Sequence, residues 1–172
     1  MATLAKLIEE GTLTKVDVAL DGNAQPWREL YAYSPSGRDN RFIPWLRDEL
    51  PGLQSSAVGS PDTPEEQLYA LLELYVIGEP LTVNEMYKPL HPHSYGIWEL
   101  RTIDVRVFGW FYERDRFIAV FADTAERIHQ YKLHAGYRDQ VIRLRNALDL
   151  DEPKFATGIN EHDIVSICPK SP

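Results

Sequence analysis

Arg101 and Arg106 stand in the stretch GIWELRTIDVRVFGW, residues 96–110, among residues that otherwise read as buried strand. Arginine keeps its charge at every ordinary pH and presents a rigid fork of donors matched to phosphate oxygens. Two such residues on adjacent antiparallel strands converge on one anion when both side chains leave the same face. The structural alternative is ion pairing with Glu99, Asp104 or Asp115 around the turns. Residue type and spacing leave both open.

A second group lies in ERIHQYKLHAGY, which joins the last strand to the last helix and carries His129, Lys132 and His134. Connections at the end of a sheet often hold functional side chains, although a solvated, mildly basic linker would look the same. A third group, His91-Pro-His93, offers two imidazoles that His129 or His134 could complete as metal ligands. Pro92 imposes an extended local chain and no carboxylate stands at ligand spacing, so solvated histidines are expected and no metal site. The chain has no P-loop, G-x-G-x-x-G, G-x-S-x-G or H-E-x-x-H motif.

The elements that must position these groups follow from hydrophobic period. Leu4, Leu7 and Ile8 after Thr3 predict a short amphipathic helix. Val16, Val18 and Leu20 alternate, Asp21-Gly22-Asn23 supplies a turn, and WRELYAYS follows, which predicts an N-terminal hairpin. Phe42, Trp45, Leu46 and Leu50 share one helical face between Asn40 and Leu50, with Asp39 or Asn40 as cap and Pro44 in the first turn. Residues 54–64 read as a polar loop. Thr63 then caps a helix bearing Leu68, Leu71, Leu72, Tyr75 and Val76, which Gly78 ends. The runs IWELR, VRVFGWFY and FIAVFAD, joined by short spacers, predict an antiparallel meander. A last helix over Tyr137–Leu148 should turn Tyr137, Val141, Leu144 and Leu148 inward and Arg138 and Arg145 outward. The tail to Cys168 either adds a strand or lies loosely.

At 172 residues the chain suits one domain with a substantial core. Its 44% hydrophobic and 26% charged content is that of an ordinary globular protein. No apolar run approaches the roughly 20 residues of a membrane span, and the N-terminus lacks the order of a signal peptide. A single cysteine, Cys168, excludes an internal disulfide and a multi-cysteine zinc site. These features predict a cytoplasmic protein without a membrane partner. The net charge of −8 argues against indiscriminate nucleic-acid binding. That charge is uneven, for between His91 and Leu148 nine basic residues face seven acids, and four of the five histidines lie there.

Lys88-Pro-Leu90, the run Gly-Ile-Trp-Glu-Leu-Arg101, Val-Arg106-Val-Phe and Arg116-Phe-Ile-Ala-Val together resemble the RelE/ParE toxin superfamily, in its phage-derived HigB-like branch. The resemblance covers roughly residues 27–148. It implies an α+β fold with two helices packed on a curved antiparallel meander, followed by a further helix. Residues 1–26 would then be an N-terminal extension containing the short helix and the hairpin's first strand, 27–148 the toxin-like domain, and 149–172 a C-terminal extension. It also implies a toxin that cuts mRNA on the ribosome, without metal or other cofactor, and is held in check by a cognate antitoxin. By position, Arg101, Arg106, His129 and Lys132 would be catalytic, and Arg114, Arg116 and Arg127 would bind RNA. Where relatives carry a lysine pair after the meander, this chain has His-Gln-Tyr-Lys-Leu-His. The alternative is a catalytically inactive protein of that fold that binds a host or phage protein, or an accessory protein with no site at all.

Overall fold

The computed structural model describes residues 1–35, 41–158 and 160–169. Period-two apolar sequence builds its centre. β4 (Trp98–Arg101), β5 (Val105–Glu113) and β6 (Arg116–Thr124) form the expected antiparallel meander. Val105–Phe111 and Phe117–Asp123 are buried throughout, so both faces of these strands are covered. Three shorter strands complete the sheet: β1 (Leu13–Lys15), β2 (Glu29–Tyr33) and β3 (Tyr87–Pro89). The order across it is β1-β2-β6-β5-β4-β3.

The sheet is mixed rather than wholly antiparallel, because β2 lies parallel to β6, with Leu30 opposite Phe117 and Ala32 opposite Ala119. Alternation of apolar residues sets the faces of a strand but not the direction of its partner. The N-terminal hairpin exists with a different first strand, since Leu13 pairs with Tyr33 and Lys15 with Tyr31. Val16, Val18 and Leu20 form no strand and instead pack against the core from the long connection. β3 has no counterpart in the expected elements; three residues ending in proline carry too little pattern to register.

Helices lie on both faces. On one face α2 (Phe42–Pro44) runs into a π-helical turn at Trp45–Glu49, and α3 (Pro64–Ile77) follows. Phe42, Trp45, Leu50, Leu68, Leu72 and Tyr75 meet Leu30, Trp98, Val107 and Phe111 there. The Thr63 hydroxyl accepts from Glu66 N–H at the start of α3, and Gly78, at φ 84°, ends it. The proposed caps Asp39 and Asn40 lie outside the described residues. On the other face α1 (Leu4–Glu9), α4 (Ala125–Tyr131) and α5 (His134–Ala147) cover Phe108, Trp110, Ile118 and Val120. The connection after β6 is therefore largely a helix, started by the Thr124 hydroxyl accepting from Arg127 N–H, and not a linker.

Arg145 turns inward rather than outward. It is 3% exposed, lies 3.9 Å from the centre of the Phe155 ring and donates to the Tyr95 carbonyl at 2.5 Å. Burial lowers its pKa to about 10. The tail that covers it was invisible to helical periodicity. The tail also places Ile164 and Val165 in the core without forming a strand. Ser166 accepts from the buried Arg28 guanidinium at its carbonyl, 2.9 and 2.7 Å, and donates its N–H to Asp115 at 2.6 Å. Arg28 completes its bonds on the Tyr75 and Glu79 carbonyls at the end of α3.

Candidate anion-binding site

The face of the sheet toward α4 and α5 carries the charged residues. On β4, Trp98 and Leu100 enter the opposite core, so Glu99 and Arg101 point toward α5 by alternation. On β5 the same alternation puts Arg106 beside Phe108, directly opposite Arg101 in register. A β-bulge in β6 does the rest. Phe108 pairs with Phe121 and Gly109 with Ala119, leaving Val120 as the extra residue. Val120 and Phe121 consequently share one face, and Asp123 opposite Arg106 falls on the α5 side instead of the α3 side. Asp123 accepts from Tyr137 Oη at 2.7 Å and Arg127 Nε at 3.1 Å, which ties α4 and α5 to the sheet edge.

A cavity of about 310 Å³ opens between this sheet edge and the two helices. Lys88 of β3, Glu99 and Arg101 of β4, His129 of α4, and His134 and Arg138 of α5 line it. Three permanent cations against one buried carboxylate make the pocket positive in a chain of net charge −8. Lys88 has no ion pair among the described residues. Arg138 Nη1 donates to the His91 carbonyl at 2.7 Å.

Glu99 is the floor of the pocket and is 2% exposed. Its Oε1 lies 3.2 Å from Arg101 Nε and its Oε2 lies 3.7 Å from His134 Nε2, yet Oε2 is buried without a hydrogen bond. Burial pushes the Glu99 carboxyl up, against the opposing pull of Arg101, Arg106 and Lys88. Burial lowers the His134 pKa, and His129, Arg106, Lys88 and Arg101 press it the same way. The ring centres of His129 and His134 are 5.5 Å apart.

The expected site residues separate into three groups. Arg101 and His129 line the pocket, while Arg106 lies beneath it at 6% exposure, donating to the Thr102 and Val105 carbonyls. Burial, and then Arg101 alongside, lowers its pKa. Lys132 ends α4 in the left-handed conformation, exposed, and does not line the cavity. Arg127 holds Asp123 and stacks over Tyr131. Arg114 and Arg116 occupy the far end of β5 and β6, roughly 23 Å away along seven residues of strand. There Arg116 pairs with Glu29 at 3.1 Å and Glu113 at 3.3 Å.

The structural expectation for the two arginines holds in part. Arg101 does face Glu99, whereas Asp115 serves Arg28 and Ser166. Asp104 instead accepts from Ser55 Oγ at 2.6 Å, Gln67 Nε2 at 2.6 Å and Ser56 Oγ at 2.9 Å, pinning the loop over residues 54–64. Burial opposes its charge, but these bonds outweigh that and hold its pKa below the ordinary value.

Lys88, Glu99 and Arg138 lay outside the residues expected from sequence to form the site. Only the pairing of β3 with β4, which sets Lys88 opposite Glu99, and the docking of α5 bring them in. Glu99 did carry a signal, being an acid two residues from Arg101 in an otherwise apolar strand. His91 and His93 stack on each other with ring centres 4.3 Å apart. Among the described residues no group of three histidine, cysteine or acidic side chains is gathered as for a metal ion, and no helix is long and apolar enough to cross a membrane. The chain matches no protein-family model, curated protein or solved structure in comparisons with each.

Proposed function

We propose that the protein is an endoribonuclease of the RelE/ParE type, a toxin that cuts mRNA with its own side chains and is restrained by an antitoxin. The observation that carries this reading is the convergence of Lys88, Arg101 and Arg138 with His129 and His134 on one open cavity. Of the three helices before the meander, α2 and α3 pack on one face of the sheet, and with the helices after it they support the family resemblance. RNA carries its own nucleophile in the 2′-hydroxyl, so a protein needs only to hold the phosphate, stabilise charge on its oxygens and move protons. Arg101, Lys88 and Arg138 supply the charge. The imidazoles supply proton transfer, an effect of about 10²–10⁴-fold. Arg106, whose Nη1 donates to the Thr102 and Val105 carbonyls, supports the strand turn that presents Arg101.

Purified protein added to translating ribosomes should yield discrete mRNA cuts by primer extension. Arg101→Ala and Lys88→Ala should each slow cutting about a hundredfold, and Lys132→Ala should leave it unchanged. Full cutting by the folded Arg101→Ala and Lys88→Ala proteins would refute the assignment. The second reading, a non-catalytic protein of this fold that binds a host or phage protein, is favoured by the net charge of −8. It predicts no cuts and a growth phenotype that survives both substitutions.

A further inference from the structure

We infer that Glu99 and His134 form a carboxylate–imidazole pair, in which His134 is the proton acceptor of the pocket and Glu99 the buried residue that positions it. The inference rests on the reading of this pocket as an RNA-cleaving site, and it assigns the role to neither of the histidine-segment residues expected from sequence, His129 and Lys132.

His134 is the first residue of α5, and its side chain is 38% exposed, open to the cavity on one side. Behind it Glu99 Oε2 lies 3.7 Å from Nε2, in a carboxylate that is almost wholly buried and otherwise lacks a hydrogen-bond donor at that oxygen. A buried acceptor without a donor is costly. A small closure of this distance lets Nε2–H satisfy it. The Nε2–H tautomer then leaves Nδ1 as the basic nitrogen, the reverse of hydrolytic triads, where the carboxylate holds Nδ1–H and Nε2 is the base. Phe108 packs edge-on against the ring at 6.2 Å between centres and limits its swing. His129, by contrast, has no carboxylate behind it among the described contacts.

In the reaction, Nδ1 takes the 2′-hydroxyl proton as O2′ bonds to phosphorus and the P–O5′ bond breaks. The departing O5′ takes a proton from His129, whose ring lies 5.5 Å away. The products are a 2′,3′-cyclic phosphate and a 5′-hydroxyl. The charges that face His134 are Glu99 and Arg101 from β4, Arg106 from β5, Lys88 from β3, His129 from α4 and Arg138 on its own helix. All but Glu99 are cationic or become so on protonation, so Glu99 is the group that sustains an imidazolium here.

The test is a histidine NMR titration of the full-length wild-type protein and of Glu99→Gln, with folding checked by circular dichroism. Loss of the carboxylate should lower the His134 midpoint by one unit or more and leave that of His162 in place. A His134 midpoint that stays or rises in Glu99→Gln overturns the pair. If that variant fails to fold, Arg101→Lys, which keeps charge but not fork geometry, and wild-type 15N tautomer assignment decide it. A neutral His134 protonated at Nδ1 overturns the inference. In ribosome assays the acidic limb of the rate profile should move with the same midpoint, and a limb that ignores Glu99→Gln also overturns it. Absence of any RNA cleavage defeats the endoribonuclease reading instead, while the titration still decides the pair.

Discussion

Glu99 lies at the floor of the pocket, buried at 2% exposure, and its charge there costs the fold. Because burial raises its pKa above the ordinary 4.5, the folded chain keeps this proton to a higher pH than the unfolded chain. Stability attributable to the group therefore falls as pH rises through that window, and the full penalty applies above it. Glu99→Gln, which cannot ionise, should unfold at a higher urea concentration than wild type at pH 7. The gain should shrink toward zero as pH falls to about 4. Equal midpoints at pH 7 would mean that Arg101 and its neighbours compensate the buried charge completely. His134 acts with the opposite sign. Its lowered pKa means the unfolded chain binds that proton more readily, so its contribution is lost as pH falls through the ordinary histidine range.

At the scale of elements, the bulge in β6 matters most for the site. It lets Val120 and Phe121 share the α5 core and carries Asp123 to the face of Arg106, where Tyr137 and Arg127 bind it. Its partner position on β5 is Gly109, where an added Cβ would stand 2.0 Å from the Ile118 carbonyl oxygen. No side-chain rotation relieves a clash with backbone. Gly109→Ala should therefore destabilise the protein by about 1–3 kcal/mol through strand separation, measured as a lower midpoint of chemical denaturation. An alanine variant as stable as wild type would show that the two strands yield there at little cost.

Over the whole molecule, the two ends of the chain belong to the same cores as the middle. Ala2 bridges Leu150, β1 pairs with β2, and Ile164 and Val165 are buried against the α3 face. The tail also supplies the Ser166 carbonyl to Arg28, which is 1% exposed. A chain ending at Leu148 would leave that guanidinium with fewer acceptors in a buried place. Removing a partner of a buried charge costs about 3–5 kcal/mol, before the lost burial of Ile164 and Val165 is added. The shortened protein should melt well below the full chain or fail to accumulate in soluble form. A melting temperature within a few degrees of the full chain would show the tail to be dispensable.

Sequence by itself determined the local order. Thr3, Thr63 and Gly78 mark helix ends because capping is a matter of one hydroxyl or one left-handed residue. The alternation from Trp98 to Thr124 yields the meander because a strand's faces repeat every second residue. It also brought Arg101 and His129 forward as site residues, and both line the pocket. Tertiary structure alone decided the parallel pairing of β2 with β6, the inward turn of Arg145 beneath Phe155, and the separation of Lys132, Arg114 and Arg116 from the cavity. It alone gathered Lys88, Glu99, His134 and Arg138 into one pocket. Those outcomes depend on which distant surfaces meet and on a single-residue bulge that reverses a strand's parity, and neither leaves a periodic trace in the chain.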